Sequence, residues 1–421
     1  MLNFTAQGLG NALRLIFVYM KMRTGLITLL IVLEICAARA QNIAVVDATV
    51  YTSPDAAALN HATVLILDGK VSVYGSSVAV PKGIRILPCK GCAVFAGFWN
   101  CHVHFTGPQW IGSAQLPANR LTQQMREMLT HSGFTTVVDT ASDPGNTVAL
   151  RSRIESGEVS GPHIYTAGAG LYPPHGIPYY LSDLPQAVRD SLPQPLTPGE
   201  AAAAVETNQA LGTDIVKLFT GSYVSPGHIV DMPIANARAA VEVGHRHHQL
   251  VFAHPSDLGG VRVAIDAGVD VLAHAPDTVE GVDDALLKEM VDRHMAMIPT
   301  LKLFSGESHI ARIREIVARF HALGGQLIFG TDTGFLTDYN VAEEYRQLAL
   351  AGLSFRDALA MLTTAPAQRF GVEPKKGRIE PEAEGDITIL ASDPAKGRLE
   401  DFANVIYTVR AGRVIFEAAP R

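Results

Sequence analysis

The chain has 421 residues, of which 48% are hydrophobic and 18% are charged, and its formal net charge is −7. This length suits one large domain with a smaller one, and the composition is that of a globular protein, which excludes a disordered chain. No stretch of Lys and Arg is dense enough to form a basic surface, so nucleic-acid binding is excluded as a function class.

The N-terminal 40 residues have the layout of a secretory signal. Two basic residues precede an apolar stretch, residues 25–33, and a small-x-small cleavage site follows at residues 38–40. One alternative is a retained membrane anchor over residues 13–33, but both charges would then lie in its middle, where they are costly. The other is a lipoprotein anchor at Cys36, but Glu34 and Ile35 stand where small residues are wanted. We therefore expect cleavage before Gln41, no membrane span in the mature chain, and a secreted or periplasmic protein of the Gram-negative bacterial type.

Two cysteines of the mature chain lie close together in sequence. Cys89 and Cys92 flank Lys90-Gly91, a dipeptide that suits a hairpin turn, so their side chains could bridge two adjacent strands. Export would place them in an oxidising compartment, which favours a disulfide. A zinc knuckle and two free thiols are the alternatives.

The pattern of strands and helices predicts two structural parts. Residues 41–96 alternate apolar and polar positions between Asp-Gly and Lys-Gly turns, which is typical of strands. From there, short β-branched runs alternate with amphipathic segments, and with the strand before His102 they make eight strand–helix units. We therefore expect a (β/α)8 TIM barrel, an α/β fold, over residues 97–374. Strand patterns return at the end, so a small β-sandwich domain is expected from residues 41–96 and 375–421.

Polar side chains end several of the predicted barrel strands. His102 and His104 face the same way in the first strand and point into the barrel at its carboxyl end, where barrel enzymes keep their active sites. The other strand ends carry Lys217 in IVKLF, His254 in FAHPSD, His274 in LAHAPD and Asp332 in FGTDTG. A single histidine at a strand end is usually a packing residue, but charges that converge in one buried place must be paired or bound to metal. The set therefore predicts a metal site.

Two neighbours of the His-x-His pair are expected to play supporting roles. Asn100 points the same way as His102 and could hydrogen-bond close to the ligands. Cys101 points outward toward the helices, so we expect a packed thiol and not a ligand.

These motifs resemble those of the amidohydrolase superfamily. The resemblance rests on HVH after the first strand, Lys after the fourth, His after the fifth and sixth, and Asp after the eighth. The tail GRIEPEAEGDITIL…VRAGRVI also looks like the C-terminal β-sandwich return of that family. Within the superfamily the chain is most similar to the imidazolonepropionase-related and prolidase-like members. One departure is Asn100, where many members carry Asp.

The resemblance implies two divalent metal ions, and zinc is expected because the ligands are imidazoles and carboxylates. It assigns His102, His104 and Asp332 to one metal, and His254 and His274 to the other. Carbamylated Lys217 would bridge the two ions, and a salt bridge above a single metal is the alternative. Asp332 is also the expected base, which takes the proton from a hydroxide that bridges the metals and passes it to the leaving amine.

Substrate recognition is expected from the loops that follow the strands. Tyr223, six residues after Lys217, could donate a hydrogen bond to the developing oxyanion, and a surface position is the alternative. His175 and His228 lie on long loops, and for both a surface position is favoured.

The sequence therefore predicts an exported, metal-dependent amidohydrolase with a small-molecule substrate. The expected reaction is cleavage of a C–N amide bond in a dipeptide such as Xaa-Pro or in an N-acyl amino acid. A lactonase, esterase or phosphotriesterase that uses the same metal site is the first alternative, and a non-catalytic binding module is the second. A homo-oligomer stays open.

Overall fold

A computed structural model of the protein describes residues 41–419, so the predicted signal at residues 1–40 lies outside the described residues. Within residues 41–419, no helix combines the length and the hydropathy that a membrane span needs.

The described chain begins with short strands joined by turns: β1 (Ile43–Val50), β2 (Leu59–Leu67), β3 (Lys70–Gly75), β4 (Arg85–Pro88) and β5 (Ala93–Ala96). Strand β2 pairs antiparallel with both β1 and β3. The turn between β2 and β3 is Asp68-Gly69, in which both residues have a positive φ, 49° and 79°. Such a pair of dihedrals matches the right-handed twist of the two strands, which explains the Asp-Gly sequence at this hairpin.

Strands β4 and β5 both pair parallel with β1, one after the other along the same edge. The Lys90-Gly91 turn therefore joins two segments that run in the same direction, and the predicted hairpin is wrong. Its cause is the shared partner, since a sequence pattern does not show that two strands pair with a third. Cys89 and Cys92 are nevertheless joined by a disulfide, with their Cα atoms 5.2 Å apart.

Next come β6 (Phe98–Val103), α1 (Ala118–Met128), β7 (Phe134–Asp139), α2 (Pro144–Glu155) and β8 (His163–Thr166). The three strands form a parallel sheet in the order β6-β7-β8. A long segment follows β8 and contains the short helix α3 (Gln186–Ser191) before α4 (Pro198–Ala210).

The following part supplies a second parallel sheet, and its elements are β9 (Ile215–Phe219), the hairpin of β10 (Gly221–Ser225) and β11 (His228–Asp231), α5 (Ile234–Arg246), β12 (Leu250–His254), α6 (Leu258–Ala267), β13 (Val271–Leu272), α7 (Asp284–Asp292), β14 (Ala296–Met297), α8 (Ile310–Ala322) and β15 (Gln326–Leu327). The sheet has the order β15-β14-β13-β12-β9. Helices α9 (Ala342–Leu350), α10 (Phe355–Leu362) and α11 (Thr364–Arg369) come next.

Hydrogen bonds join the edges of the two parallel sheets. The N–H of Phe219 donates to the carbonyl of Leu171 over 2.8 Å, and the N–H of Cys101 donates to the carbonyl of Phe329 over 2.7 Å. The strand pairing among residues 41–419 does not form one continuous closed sheet. The eight parallel strands and their alternating helices nevertheless give the TIM-barrel-type α/β fold that the sequence predicts.

The last strands are β16 (Ile387–Leu390), β17 (Val405–Arg410) and β18 (Arg413–Glu417). Strand β16 pairs antiparallel with β5, so both ends of the described chain share a sheet, as expected. The strands from the two ends of the described chain form a single eight-stranded sheet, in the order β18-β17-β16-β5-β1-β2-β3 with β4 beside β1. The predicted sandwich of two sheets is not confirmed. One face of the sheet buries an apolar core of its own, which includes Ile43, Val45, Val64, Ile66, Val94, Ile387, Ile389 and Val409.

Short 3-10 helices complete the described chain at Pro108–Trp110, Thr130–Ser132, Tyr179–Leu181, Pro394–Lys396 and Leu399–Ala403. Side chains cap the first turns of helices α2, α4, α6, α7 and α10, and the capping residues are Asp143, Thr197, Asp257, Asp283 and Ser354. Each of these side chains accepts a hydrogen bond from a backbone N–H that has no partner inside its helix, which fixes where the helix begins.

Candidate metal centre

The six predicted ligands all lie at the carboxyl ends of the parallel strands. His102 is in β6, Lys217 in β9 and His254 at the end of β12, whereas the other three, His104, His274 and Asp332, lie in the segments directly after β6, β13 and β15. Because parallel strands present their carboxyl ends at one side of a barrel, the fold brings residues that are far apart in sequence to one place.

The Asp332 carboxylate joins the two histidines of the first strand. Its Oδ1 lies 3.0 Å from His104 Nε2 and 3.4 Å from His102 Nε2. The cluster continues through the other histidines, since the ring centres of His102 and His274 are 4.3 Å apart and those of His274 and His254 are 4.7 Å apart. His102, His274 and Asp332 each offer a ligand atom, and these atoms lie within 4.8 Å of one another.

Hydrogen bonds fix two of the rings. His104 Nδ1 lies 2.9 Å from the carbonyl oxygen of Ala141, and His274 Nδ1 lies 2.8 Å from Thr300 Oγ1. A carbonyl oxygen only accepts, so His104 carries its proton on Nδ1 and keeps a lone pair on Nε2. Such a partner on the far nitrogen is the usual way in which proteins orient a histidine toward a metal.

Several polar atoms of the cluster are buried without a hydrogen-bond partner in the described part of the chain. They are both ring nitrogens of His102, which is fully buried, and Oδ1 of Asp332, which is 3% exposed. Buried polar atoms are costly when they stay unpaired. Imidazole nitrogens and a carboxylate oxygen that converge in this way fit a divalent metal of the zinc type.

The charges of the site also suit metal ligation. Burial, followed by the neighbouring positive groups, holds the pKa of His102, His254 and His274 well below the usual range, so these rings are neutral and can bind metal. Burial also lowers the pKa of Lys217 to about 7, against the opposing effect of Asp332. For His104, burial opposes the charged form, but the carboxylate of Asp332 outweighs it and raises the pKa.

The backbone around Asp332 is shaped for close approach. Asp332 itself has a φ of 57°, a left-handed conformation that costs of order 1–3 kcal/mol outside glycine. Gly330 packs so closely against the first strand that an added Cβ would lie 2.8 Å from His102 Cβ. At Gly334, which has a φ of 108°, an added Cβ would lie 2.0 Å from the carbonyl oxygen of His104. The glycines of FGTDTG therefore let the carboxylate reach the His-x-His pair.

The two neighbours of the pair lie as predicted. Asn100 is fully buried and its amide donates to Thr331 Oγ1 over 2.7 Å, so it does lie beside the ligands. Cys101 is a free, fully buried thiol in the apolar cluster that contains Trp99 and Val138. Burial raises the pKa of this thiol, which keeps it protonated.

The sequence reasoning did not single out Asp139, the last residue of β7. Its carboxylate accepts hydrogen bonds from Ser142 Oγ over 2.5 Å and from Thr166 Oγ1 over 2.6 Å. Burial raises its pKa against the effect of these two hydroxyls and of His104. TTVVDTAS carried the signal, because an Asp follows an apolar run there just as the ligands do at the other strand ends.

The predicted substrate residues separate into two groups. Tyr223 in β10 is partly buried, and its hydroxyl lies 3.1 Å from Asp277 Oδ2 and 3.0 Å from Thr278 Oγ1. Burial is the largest cause that raises its pKa to about 12. His175 and His228 are exposed, which agrees with the surface position that was favoured for both.

Aromatic side chains that the sequence reasoning missed line one side of the cluster. The ring of Phe219 stacks on His254 with their centres 5.0 Å apart, and Tyr172 stacks on Phe219 at 4.3 Å. Tyr180 packs edge-on against Phe335 at 5.4 Å. The ring of His254 therefore lies against stacked aromatic side chains.

Comparisons with known proteins agree with this site and fold. The amidohydrolase family model matches residues 232–415, a stretch that contains His254, His274 and Asp332. No curated protein sequence matches the chain.

Solved structures share the fold over most of the chain. A Xaa-Pro dipeptidase with bound methionine in the active site is 20% identical, with a TM-score of 0.76 over 90% of this chain and 100% of that one. Molinate hydrolase is 18% identical, with a TM-score of 0.74 over 89% of this chain and 95% of its own. Ochratoxinase from A. niger is 20% identical, with a TM-score of 0.72 over 90% of this chain and 96% of its own.

The family match covers the segment that supplies the second half of the ligand set, and the motifs of the first half lie beside it in space. The predicted resemblance to the amidohydrolase superfamily is thereby supported over residues 232–415, and the solved structures share the fold of the chain.

Proposed function

We propose that the protein is a metal-dependent amidohydrolase that cleaves a C–N amide bond in a small substrate. The substrate class is a dipeptide such as Xaa-Pro or an N-acyl amino acid. The observation that carries this proposal is the convergence of His102, His274 and Asp332, whose ligand atoms lie within 4.8 Å of one another in a buried place.

The proposed site holds two divalent ions, with zinc expected. One ion would be held by His102, His104 and Asp332, the other by His254 and His274, and carbamylated Lys217 would bridge them. Support for the carbamate is that Lys217 is only 1% exposed, since burial disfavours an ammonium group. When bound, such ions lower the pKa of water and polarise the carbonyl group under attack.

Asp332 is the residue proposed to move the proton. Its Oδ1 lies between His102 and His104 and has no hydrogen-bond donor in the described part of the chain, so it can accept a proton from the attacking water. The same oxygen then delivers that proton to the leaving amine. His104 keeps its place in this step because Ala141 fixes its Nδ1.

Tyr223 is proposed to stabilise the negative charge that develops on the carbonyl oxygen. Its hydroxyl is near enough to donate to Asp277, which comes three residues after His274, so the side chain reaches across to the loop of another ligand. To donate to the carbonyl oxygen of the substrate, the Tyr223 hydroxyl must give up its hydrogen bond to Asp277 or Thr278. A preorganised donor of this kind contributes mainly to the rate of the chemical step.

The proposed place of action is outside the cytoplasm. This rests on the layout of residues 1–40, and the disulfide between Cys89 and Cys92 agrees with an oxidising compartment. Sequencing the N-terminus of the protein recovered from a bacterial periplasm tests it, and a mature chain that begins at Gln41 is the expected result.

One substrate panel tests the proposed reaction. The zinc-loaded chain from Gln41 onward is incubated with dipeptides that include Xaa-Pro, N-acyl amino acids, lactones and a phosphotriester. Turnover of amides alone supports the proposal and identifies the leaving group. Turnover confined to lactones or to the phosphotriester contradicts it, because the same metals would then serve another electrophile.

A further inference from the structure

Glu344, on helix α9, is a fully buried carboxylate outside the ligand set. Its Oε1 accepts a hydrogen bond from the backbone N–H of Leu301 over 3.0 Å, and its Oε2 accepts one from the N–H of Lys302 over 2.7 Å. Carboxylates are rarely buried unless their oxygens are paired. Both carboxylate oxygens of Glu344 therefore accept hydrogen bonds from one turn of the chain, shortly after β14.

That turn begins with Thr300, which is the partner of a proposed ligand. Thr300 Oγ1 lies 2.8 Å from His274 Nδ1. Thr300 has a φ of 44°, which is an outlier for a β-branched residue. Such a conformation persists only where the surroundings hold it, and here the next two N–H groups are both held by Glu344.

The same turn is also tied to the segment that follows Asp332. Lys302 Nζ donates to the carbonyl oxygen of Asp338 over 2.6 Å and to that of Asn340 over 2.7 Å. Glu344 lies at the start of the helix that this segment leads into. The turn of residues 300–302 therefore contains the partner of His274 and also contacts the segment that follows Asp332.

We propose that Glu344 is a positioning residue for the metal centre: through the backbone of Leu301 and Lys302 it holds Thr300 Oγ1 against His274 Nδ1. This fixes the His274 ring and leaves Nε2 as the nitrogen that would bind a metal ion. Partners of this kind are worth about 10–100-fold in metal affinity or activity at other metal sites. The inference rests on the proposed function, because it needs His274 to be a ligand.

The first test compares Glu344→Gln with Glu343→Gln. Glu343 is the preceding residue on the same helix, is half-buried, and accepts hydrogen bonds from Arg346 and Gln347, so its variant is a matched loss of charge. Zinc affinity is measured by competition with a chelator, the visible spectrum is recorded on the cobalt-loaded protein, and kcat and KM are determined on the substrate found by the panel. We expect E344Q to weaken zinc binding by about 10–100-fold, to change the cobalt spectrum and to lower kcat more than it changes KM. E343Q should match the parent.

A double-mutant cycle tests the route through Thr300. Thr300→Val removes the hydroxyl that meets His274 and should reproduce the loss of zinc affinity, whereas Thr300→Ser keeps the hydroxyl and should restore it. If Glu344 acts through Thr300, E344Q combined with T300V should lose no more than the larger single loss. Losses that add independently overturn the proposed route.

The outcomes separate this inference from the proposed function. A parent protein that neither binds zinc nor hydrolyses any member of the panel contradicts the proposed function. A parent that does both, together with an E344Q variant of unchanged zinc affinity and cobalt spectrum, overturns only the positioning role, even if E344Q is less stable. If E344Q is recovered unfolded, Glu344→Asp, which keeps the charge on a shorter side chain, takes its place with the same readouts.

Discussion

The side-chain amide of Asn100 donates a hydrogen bond to the hydroxyl of Thr331 over 2.7 Å, and so joins the strand of His102 to the segment of Asp332. Asn100 Oδ1 also accepts a hydrogen bond from the backbone N–H of His102 over 3.2 Å. An amide can donate and accept at once, whereas a carboxylate only accepts. The Asn at this position therefore fixes the backbone of His102, a proposed ligand, and ties it to the segment of Asp332.

Asn100→Leu is expected to lower both stability and metal affinity. It leaves the buried N–H of His102 without its acceptor and takes a donor from Thr331, which should lower the free energy of unfolding by about 1–3 kcal/mol. Zinc affinity should fall by about tenfold or more, since the segment of Asp332 loses its side-chain link to the strand and keeps only the backbone hydrogen bonds between them. Urea unfolding of the metal-free protein and chelator competition measure the two effects.

Gln249→Leu is the matched control for this variant. Gln249 is also buried, and its amide donates to the carbonyl of Thr213 over 2.7 Å at the start of β12, the opposite end of that strand from His254. We expect a similar loss of stability with unchanged zinc affinity. Equal losses of zinc affinity in the two variants would show that Asn100 acts only through overall stability.

Much of the site could be predicted because its residues lie at the ends of strands, which the sequence pattern locates. His102 and His104 are two residues apart, and the other ligands each follow an apolar run, so local periodicity gives their direction. The sequence does not show hydrogen-bond partners that come together only in the folded chain. Glu344 lies next to another Glu in a helix and reads as a solvated position, although its carboxylate is buried against Leu301 and Lys302.

The fold shows the same division. The alternation of strands and helices predicts the parallel strands well, although β13, β14 and β15 are only two residues long. The turn at Lys90-Gly91 was misassigned because pairing of both β4 and β5 with β1 is a contact across more than forty residues. Turn chemistry alone gives no information about such a partner.

Lys217→Met is expected to stabilise the metal-free protein while it destroys the proposed bridge between the metals. Burial lowers the pKa of Lys217 from 10.5 to about 7, so the unfolded chain binds this proton more readily than the folded one. The destabilisation of the folded state by buried Lys217 is therefore fully present below pH 7, shrinks as the pH rises from 7 to 10.5, and vanishes above that range. At pH 6 the variant should be more stable by several kcal/mol, of order 1.4 kcal/mol per pKa unit.

Lys288→Met provides the comparison for this stability measurement. Lys288 is exposed and pairs with Asp292 one turn along α7, so its loss should change the free energy of unfolding by less than about 1 kcal/mol. Urea unfolding between pH 6 and pH 10 should show a gap between the parent and K217M that closes with rising pH. A gap that stays constant or widens would contradict the assigned cause.

Tyr223→Phe is expected to slow the chemical step. If the hydroxyl donates to the carbonyl oxygen in the transition state, its loss should lower kcat by about 10²–10³-fold and leave KM within a few-fold. Tyr165→Phe is the control, because Tyr165 is half-buried and packs against Trp99 at 5.8 Å and Phe370 at 4.6 Å, and not against a proposed ligand. A drop in kcat shared by both variants would argue against a specific role for Tyr223.

Asp332→Asn is expected to slow turnover strongly and to remove most of the stabilisation by zinc, while the fold is kept. Asn has the shape of Asp but accepts no proton from the attacking water, so kcat should fall by about 10²–10⁴-fold. Asn is also a poorer ligand beside His102 and His104, and this weakens the coupling between metal binding and folding. In the parent, free zinc at one hundred times its dissociation constant should raise the free energy of unfolding by about 2.7 kcal/mol, and a chelator should remove this gain.

Asp338→Asn separates the role of Asp332 from a general loss of negative charge in the same segment. Asp338 is an exposed carboxylate six residues further on, and its backbone carbonyl still binds Lys302 Nζ after the substitution. Turnover and the zinc-dependent stabilisation should therefore both survive in D338N. Because D332N differs from it only in the place of the lost charge, full turnover in D332N would show that another group moves the proton, and Asp139, at the end of β7, is then the residue to test.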